Sequence, residues 1–119
     1  MKLNHSNLVV NNVAEAIHFF ETYFKFKCVE IKGDNIIAIL INEDDFTLVI
    51  TKAKNGQATY PESFHIGFLQ QNAEEVNQLY RQLKTAGMVD DHEPRKIRDS
   101  FGFYFNFENI MIEIGTYAD

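Results

Sequence analysis

The sequence predicts an α+β fold made of two βαβββ repeats, and three observations predict it. Two helix starts carry the same capping-box spacing, Asn12 with Glu15 and Asn72 with Glu75. A β-prone segment precedes each start and carries a histidine seven residues before the cap, His5 and His65. After each helix come further β-prone segments divided by turn residues. His5 and His65 are thus sixty residues apart, as are Asn12 and Asn72, and Phe20 and Tyr23 match Tyr80 and Leu83 at that offset. The period is longer than that of solenoid repeats. Two copies imply a pseudo-twofold pair of modules, each needing the other to cover its sheet.

The elements follow in order. Leu3 to Val10 is the first strand. Behind Asn12 a helix runs to about Phe24, with Val13, Ile17, Phe20 and Phe24 at one-face spacing. Phe26 to Ile31 is β-rich, Gly33-Asp34-Asn35 is a turn, and Ile36 to Ile41 is a buried strand. Asn42 to Asp45 turns the chain into Phe46 to Thr51. Lys52 to Glu62, with Asn55-Gly56 and Pro61, lacks periodicity and reads as a linker. Module 1 is therefore about residues 1–52, the linker 53–62 and module 2 about 63–119, together one domain. In module 2, Ser63 to Leu69 is a strand, and the helix after Asn72 stops at Gly87. A short strand is expected at Met88 to Asp90, then a polar loop from Asp91 to Ser100. Phe101 to Phe107 and Ile110 to Gly115 close the repeat.

Composition narrows the function classes. With 119 residues, 45% of them hydrophobic, the chain suffices for one domain with a real core. A net charge of −6 argues against nucleic acid as a partner. The apolar run Ile36 to Ile41 is too short to cross a membrane, and no secretory leader is visible. The single cysteine, Cys28, suits a reducing compartment, so a cytoplasmic location is expected. Cys28 itself reads as a buried core residue.

Chemistry concentrates on three residues. His5 shares a strand face with Leu3 and Asn7, and His65 with Ser63 and Gly67. Glu113 stands inside Ile110-Met111-Ile112-Glu113-Ile114, where a carboxylate is costly to bury unless something pairs with it. A cation is one such partner, and two imidazoles with one carboxylate leave positions open for substrate. Two hydrogen-bonded strand histidines and a solvent-facing glutamate are the alternative reading. Tyr104 and Asn106 alternate with Phe103, Phe105 and Phe107, and Tyr104 reads either as a pocket acid or hydrogen-bond donor or as a tyrosine at the sheet surface. Arg95, Lys96 and Arg98 read either as a basic lid over an anionic substrate or as a solvated loop. His18 and His92 read as surface residues.

Leu3-Asn4-His5, Phe64-His65-Ile66-Gly67-Phe68 and Phe101-Gly102-Phe103-Tyr104-Phe105 leading to Ile112-Glu113-Ile114 carry a resemblance. Over essentially its whole length the chain resembles the vicinal oxygen chelate superfamily, which includes glyoxalase I, extradiol dioxygenases, fosfomycin thiol transferases and bleomycin-resistance proteins. The resemblance implies that the mixed sheets curl into an open, cup-shaped barrel. It puts His5, His65 and Glu113 on the ligand positions of one divalent metal ion (Fe, Mn, Zn, Ni or Co). Such modules expose sheet edges that are usually paired or covered, so a homodimer is expected, and the resemblance adds that in some members the metal site is built across the two chains. The fourth ligand of glyoxalase I, a residue of the last strand of the first module, has no counterpart: Val49 stands at the matching position, which weighs against true glyoxalase I activity. The turn Asn106-Phe107-Glu108-Asn109 departs from that of the thiol transferases.

The expectation is thus a divalent-metal-dependent enzyme on a small molecule, a glyoxalase-like lyase or a dioxygenase. The metal would chelate adjacent substrate oxygens and stabilise an oxyanion or enolate, with Glu113 and Tyr104 as the catalytic side chains. The alternative is a non-catalytic small-molecule-binding protein of the bleomycin-resistance kind.

Overall fold

The computed structural model describes residues 1–117. The chain divides into two compact units, Met1–Thr59 and a second that begins at Tyr60. Each has the βαβββ order that the repeat predicts.

The first unit contains β1 (His5–Val10), α1 (Val13–Phe24), β2 (Lys27–Lys32), β3 (Ile37–Ile41) and β4 (Thr47–Lys52). Its sheet has the order β1-β4-β3-β2, with β1 parallel to β4 and the other pairs antiparallel. The Asn12 side chain accepts the Glu15 N–H at 3.0 Å, satisfying a helix-terminal donor that would otherwise lack an intrahelical partner. Val13, Ala16, Phe19, Phe20 and Phe24 are buried, whereas Ile17 is only half-buried. The helix ends on Lys25 in the left-handed region (φ 59°), and the Phe26 N–H returns to the Phe20 carbonyl at 3.3 Å. Alternation then splits the sheet. Leu8, Val10, Ala38, Leu40, Leu48 and Ile50 are buried on the face that α1 covers. Each of these side chains other than Ala38 contributes about 1.5–3 kcal/mol by leaving water. The intervening residues His5, Asn7, Ile37, Ile39, Val49 and Thr51 form the opposite, open face.

The second unit repeats the plan with β5 (His65–Leu69), α2 (Ala73–Thr85), β6 (Arg95–Ile97), β7 (Ser100–Phe107) and β8 (Ile110–Thr116). Its sheet order is β5-β8-β7-β6, again with the first and last strands parallel. Asn72 accepts the Glu75 N–H at 2.9 Å, and the Glu75 carboxylate accepts the Gln71 N–H at 2.9 Å. Gly87 (φ 76°) follows the helix, and the Met88 N–H bonds the Leu83 carbonyl at 2.9 Å. Val76, Leu79, Tyr80 and Leu83 pack with Phe103, Phe105, Ile110, Ile112 and Ile114 in the core. The Tyr80 and Phe103 rings meet edge-on, centroids 5.4 Å apart.

Three readings of the sequence change. The short strand lies at Arg95–Ile97, not Met88–Asp90. Asp90 instead lies outside any strand: its carbonyl accepts the buried Tyr80 hydroxyl at 2.7 Å and its carboxylate accepts the His92 N–H at 2.9 Å. Arg95 and Lys96 therefore lie in β6, paired with Gly102 and Phe101, rather than in a free loop. Cys28 is half-buried, its N–H taken by the Glu21 carboxylate at 2.9 Å. The aperiodic stretch after β4 is also tied down: Ala53 donates to the Val10 carbonyl at 2.8 Å, and buried Ala58 donates to Asn11 Oδ1 at 2.9 Å. Among the described residues no helix is long and apolar enough to cross a membrane.

Candidate functional site

The open face of the second unit brings three of the expected residues together. β5 presents His65, β8 presents Glu113 and β7 presents Tyr104; Glu113 stands opposite Gly67 on one side and Tyr104 on the other. Because side chains alternate, Ile112 and Ile114 point into the core and Glu113 away from it. The isoleucine run therefore anchors the carboxylate without burying it fully; its side chain is 28% exposed.

The histidine is oriented by the main chain. Its Nδ1 lies 3.0 Å from the Ser63 carbonyl, and Ser63 takes a left-handed conformation (φ 67°). A carbonyl only accepts, so Nδ1 carries the proton and Nε2 is the ring's remaining lone pair. That Nε2 lies 3.4 Å from Glu113 Oε1. A neutral imidazole and an ionised carboxylate would then face each other with two acceptors. A proton on Nε2 or a cation shared with the carboxylate resolves the conflict. These donors fit a divalent metal: one imidazole nitrogen, one carboxylate oxygen and an outer carbonyl that fixes the ring, as in histidine-ligated metal sites. Among the described residues no cluster of three or more His, Cys, Asp or Glu side chains is suited to hold a metal.

Tyr104 flanks the pair. Its ring meets the His65 ring edge-on, centroids 5.9 Å apart, and it is 41% exposed. Partial burial, then the charge of Glu113 and a hydrogen bond to its carboxylate, raise the phenol above its ordinary range; Arg98 acts in the opposite sense. The phenol is consequently a donor at neutral pH. Beside Glu113 opens a cavity of about 210 Å³, lined by Gly67, Leu69, Ser100, Gly115, Thr116 and Tyr117. Tyr104 also borders a wider recess whose other walls include Asp90, His92, Glu93 and Arg95.

His5 occupies the same place in the first unit. It is exposed, and its Nδ1 donates to Asn4 Oδ1 at 2.8 Å, which likewise leaves Nε2 as the lone-pair nitrogen of the neutral ring. Register makes Val49 the counterpart of Glu113, since Asn7 pairs with Val49 as Gly67 pairs with Glu113. His18 and His92 are exposed, as expected. Sequence reasoning did not single out the Ser63 carbonyl, or Gly67 and Gly115, which line the cavity. The glycines could have been found, because glycine inside a strand asks for a reason.

Comparison with known proteins places the fold and the family. Residues 2–113 match the family model of the Glyoxalase/Bleomycin resistance protein/Dioxygenase superfamily. A possible glyoxalase from Bacillus cereus is 34% identical, with 96% of this chain and 97% of that one covered and a TM-score of 0.82. The genomically encoded fosfomycin resistance protein FosX of Listeria monocytogenes shares the fold at 20% identity, covering 98% and 93% of the two chains with a TM-score of 0.75. Lactoylglutathione lyase of Agrobacterium tumefaciens shares it at 15% identity, covering 97% and 92%, with a TM-score of 0.73. No curated protein matches. The chain belongs to the Glyoxalase/Bleomycin resistance protein/Dioxygenase superfamily.

Proposed function

We propose that this member of the superfamily is a divalent-metal-dependent enzyme acting on a small molecule, with lyase or dioxygenase chemistry. The observation that carries the reading is the 3.4 Å approach of His65 Nε2 to Glu113 Oε1, with Nδ1 already committed to a carbonyl. His65 and Glu113 would hold the ion, and His5 would be the third protein ligand, from the same chain or from the second chain of a homodimer. A bound divalent cation supplies Lewis acidity, taking up negative charge that develops on substrate oxygen. The chain's own groups do the rest. The Ser63 carbonyl keeps the imidazole in one tautomer, and Tyr104 stays protonated and directs a hydrogen bond toward the carboxylate side of the site. Tyr104 is therefore positioned to donate to an oxygen on which charge develops. The names of two fold neighbours, a fosfomycin resistance protein and a lactoylglutathione lyase, support small-molecule substrates. Val49, in place of a carboxylate, supports a lyase other than glyoxalase I or a dioxygenase. Together the two units would act as one domain, in a cytoplasmic protein.

Metal analysis of untagged protein prepared without chelators tests this, beside His5→Ala, His65→Ala and Glu113→Ala. The expected result is stoichiometric transition metal in the wild type and its loss in all three variants. Wild-type metal content in His65→Ala and Glu113→Ala would overturn the assignment. A wild type that takes up no added divalent ion but still binds small molecules would instead be a sequestering protein of the resistance kind.

A further inference from the structure

Two glycines on the open face of the second unit have no reason in the fold. Glycine inside a strand costs backbone entropy, and that cost is offset where the strand bulges, where the backbone needs a special conformation or where another group comes close. The pairings of β5 and β7 with β8 run without a break through Gly67, Gly102 and Gly115. None of the three has positive φ. A Cβ on Gly102 would overlap the Ile114 carbonyl oxygen, so that glycine is required by strand approach. A Cβ on Gly67 would meet only Glu113, with Oε1 the nearest atom at 3.7 Å, and one on Gly115 only the Phe101 carbonyl, at 3.6 Å. Both are ordinary contacts.

The first unit shows that this topology accepts side chains at the corresponding positions. By register, Gly67 corresponds to Asn7 and Gly115 to Thr51. There the Asn7 amide donates to the Val49 carbonyl at 3.3 Å and its oxygen accepts the Thr51 hydroxyl at 3.2 Å, filling the face. In the second unit no side chain stands at these positions, and a cavity of about 210 Å³ lined by Gly67, Glu113 and Gly115 opens there.

We propose that Gly67 and Gly115 are specificity-determining residues that hold this space open for the body of the substrate. The inference rests on the reading of His65 and Glu113 as the reacting end of the site. It also sets the substrate class. An enclosed cavity of roughly 150 Å³ accepts benzene, so a space of about 210 Å³ has room for a single aromatic ring. Leu69 and Tyr117 border it with exposed apolar surface, which favours a planar or apolar body with its oxygens directed at Glu113.

Catechol, with adjacent oxygens on a six-carbon ring, is the probe, and 2,3-dihydroxynaphthalene is its enlarged analogue. Each is titrated by amide NMR into metal-free and zinc-loaded protein, for the wild type, Gly67→Ala, Gly67→Val and Gly115→Ala, with zinc affinity and thermal unfolding measured alongside. Catechol is expected to shift the Gly67 and Gly115 amides in both forms and to bind more tightly than the naphthalene. Gly67→Val should weaken it by at least about tenfold and Gly67→Ala by less, in the metal-free protein as well as the zinc-loaded one, with unfolding unchanged. Catechol affinity within about twofold of wild type in both Gly67→Val and Gly115→Ala, or equal binding of the naphthalene, overturns the proposal. Failure of the metal reading is distinguishable: zinc would not bind, while catechol would still bind the metal-free protein in a glycine-dependent way.

Discussion

The two units share a chain path and differ by face. On the face toward the helix both carry aliphatic and aromatic residues, Leu8, Leu40 and Ile50 in one and Ile112, Ile114 and Phe103 in the other. On the open face they share a histidine at the same register and little else. The first unit shows Asn7, Ile37, Ile39, Val49 and Thr51 where the second shows Gly67, Gly102, Tyr104, Glu113 and Gly115. One face therefore answers to packing, and the other carries the proposed site. A sheet tolerates this separation because neighbouring residues of a strand point to opposite sides.

The largest test of that contrast is Gly102→Ala. Its counterpart Ile37 carries a full side chain, but at Gly102 a Cβ would displace the β8 backbone at Ile114. A loss of about 3 kcal/mol or more in denaturant unfolding is expected. Wild-type stability would mean that the strands of the second unit separate as freely as those of the first. Next come the caps, where the units should behave alike. Asn12→Ala and Asn72→Ala each remove one bond to the N–H three residues on, and each should cost about 1 kcal/mol. A clear inequality in urea unfolding would show that the repeat is uneven on its structural side too. The smallest effect is confined to the open face of the second unit. Glu113→Gln removes a negative charge that raises the Tyr104 phenol, so the tyrosine should titrate at lower pH than in the wild type. Tyrosine-labelled NMR reads this directly. No movement of Tyr104 would separate it electrostatically from Glu113.

The fold was legible because its signals are local. The capping boxes at Asn12 and Asn72 and the histidine seven residues before each mark both repeats without any tertiary information. The strand at Arg95–Ile97 was not legible: three residues, two of them cations, carry no hydrophobic alternation, and the strand exists because β7 offers it an edge. The tethering of Ala53 and Ala58 depends on partners more than forty residues earlier, which a linear reading cannot see. For the site, His65, Glu113 and Tyr104 could be named from strand alternation and resemblance, and they meet on one face. The Ser63 carbonyl escaped notice since every residue has one. What distinguishes it is a positive φ, which a serine does not announce.

That carbonyl has a consequence for how readily the two histidines can be lost or rewired. His5 is held by the side chain of Asn4, so a single substitution at position 4 removes its anchor. His65 is held by main chain, and no single substitution at position 63 can delete a carbonyl oxygen. The orientation of one imidazole is written in a side chain and stays open to mutation. That of the other is written in the backbone, and any sequence that preserves the turn at Ser63 inherits it.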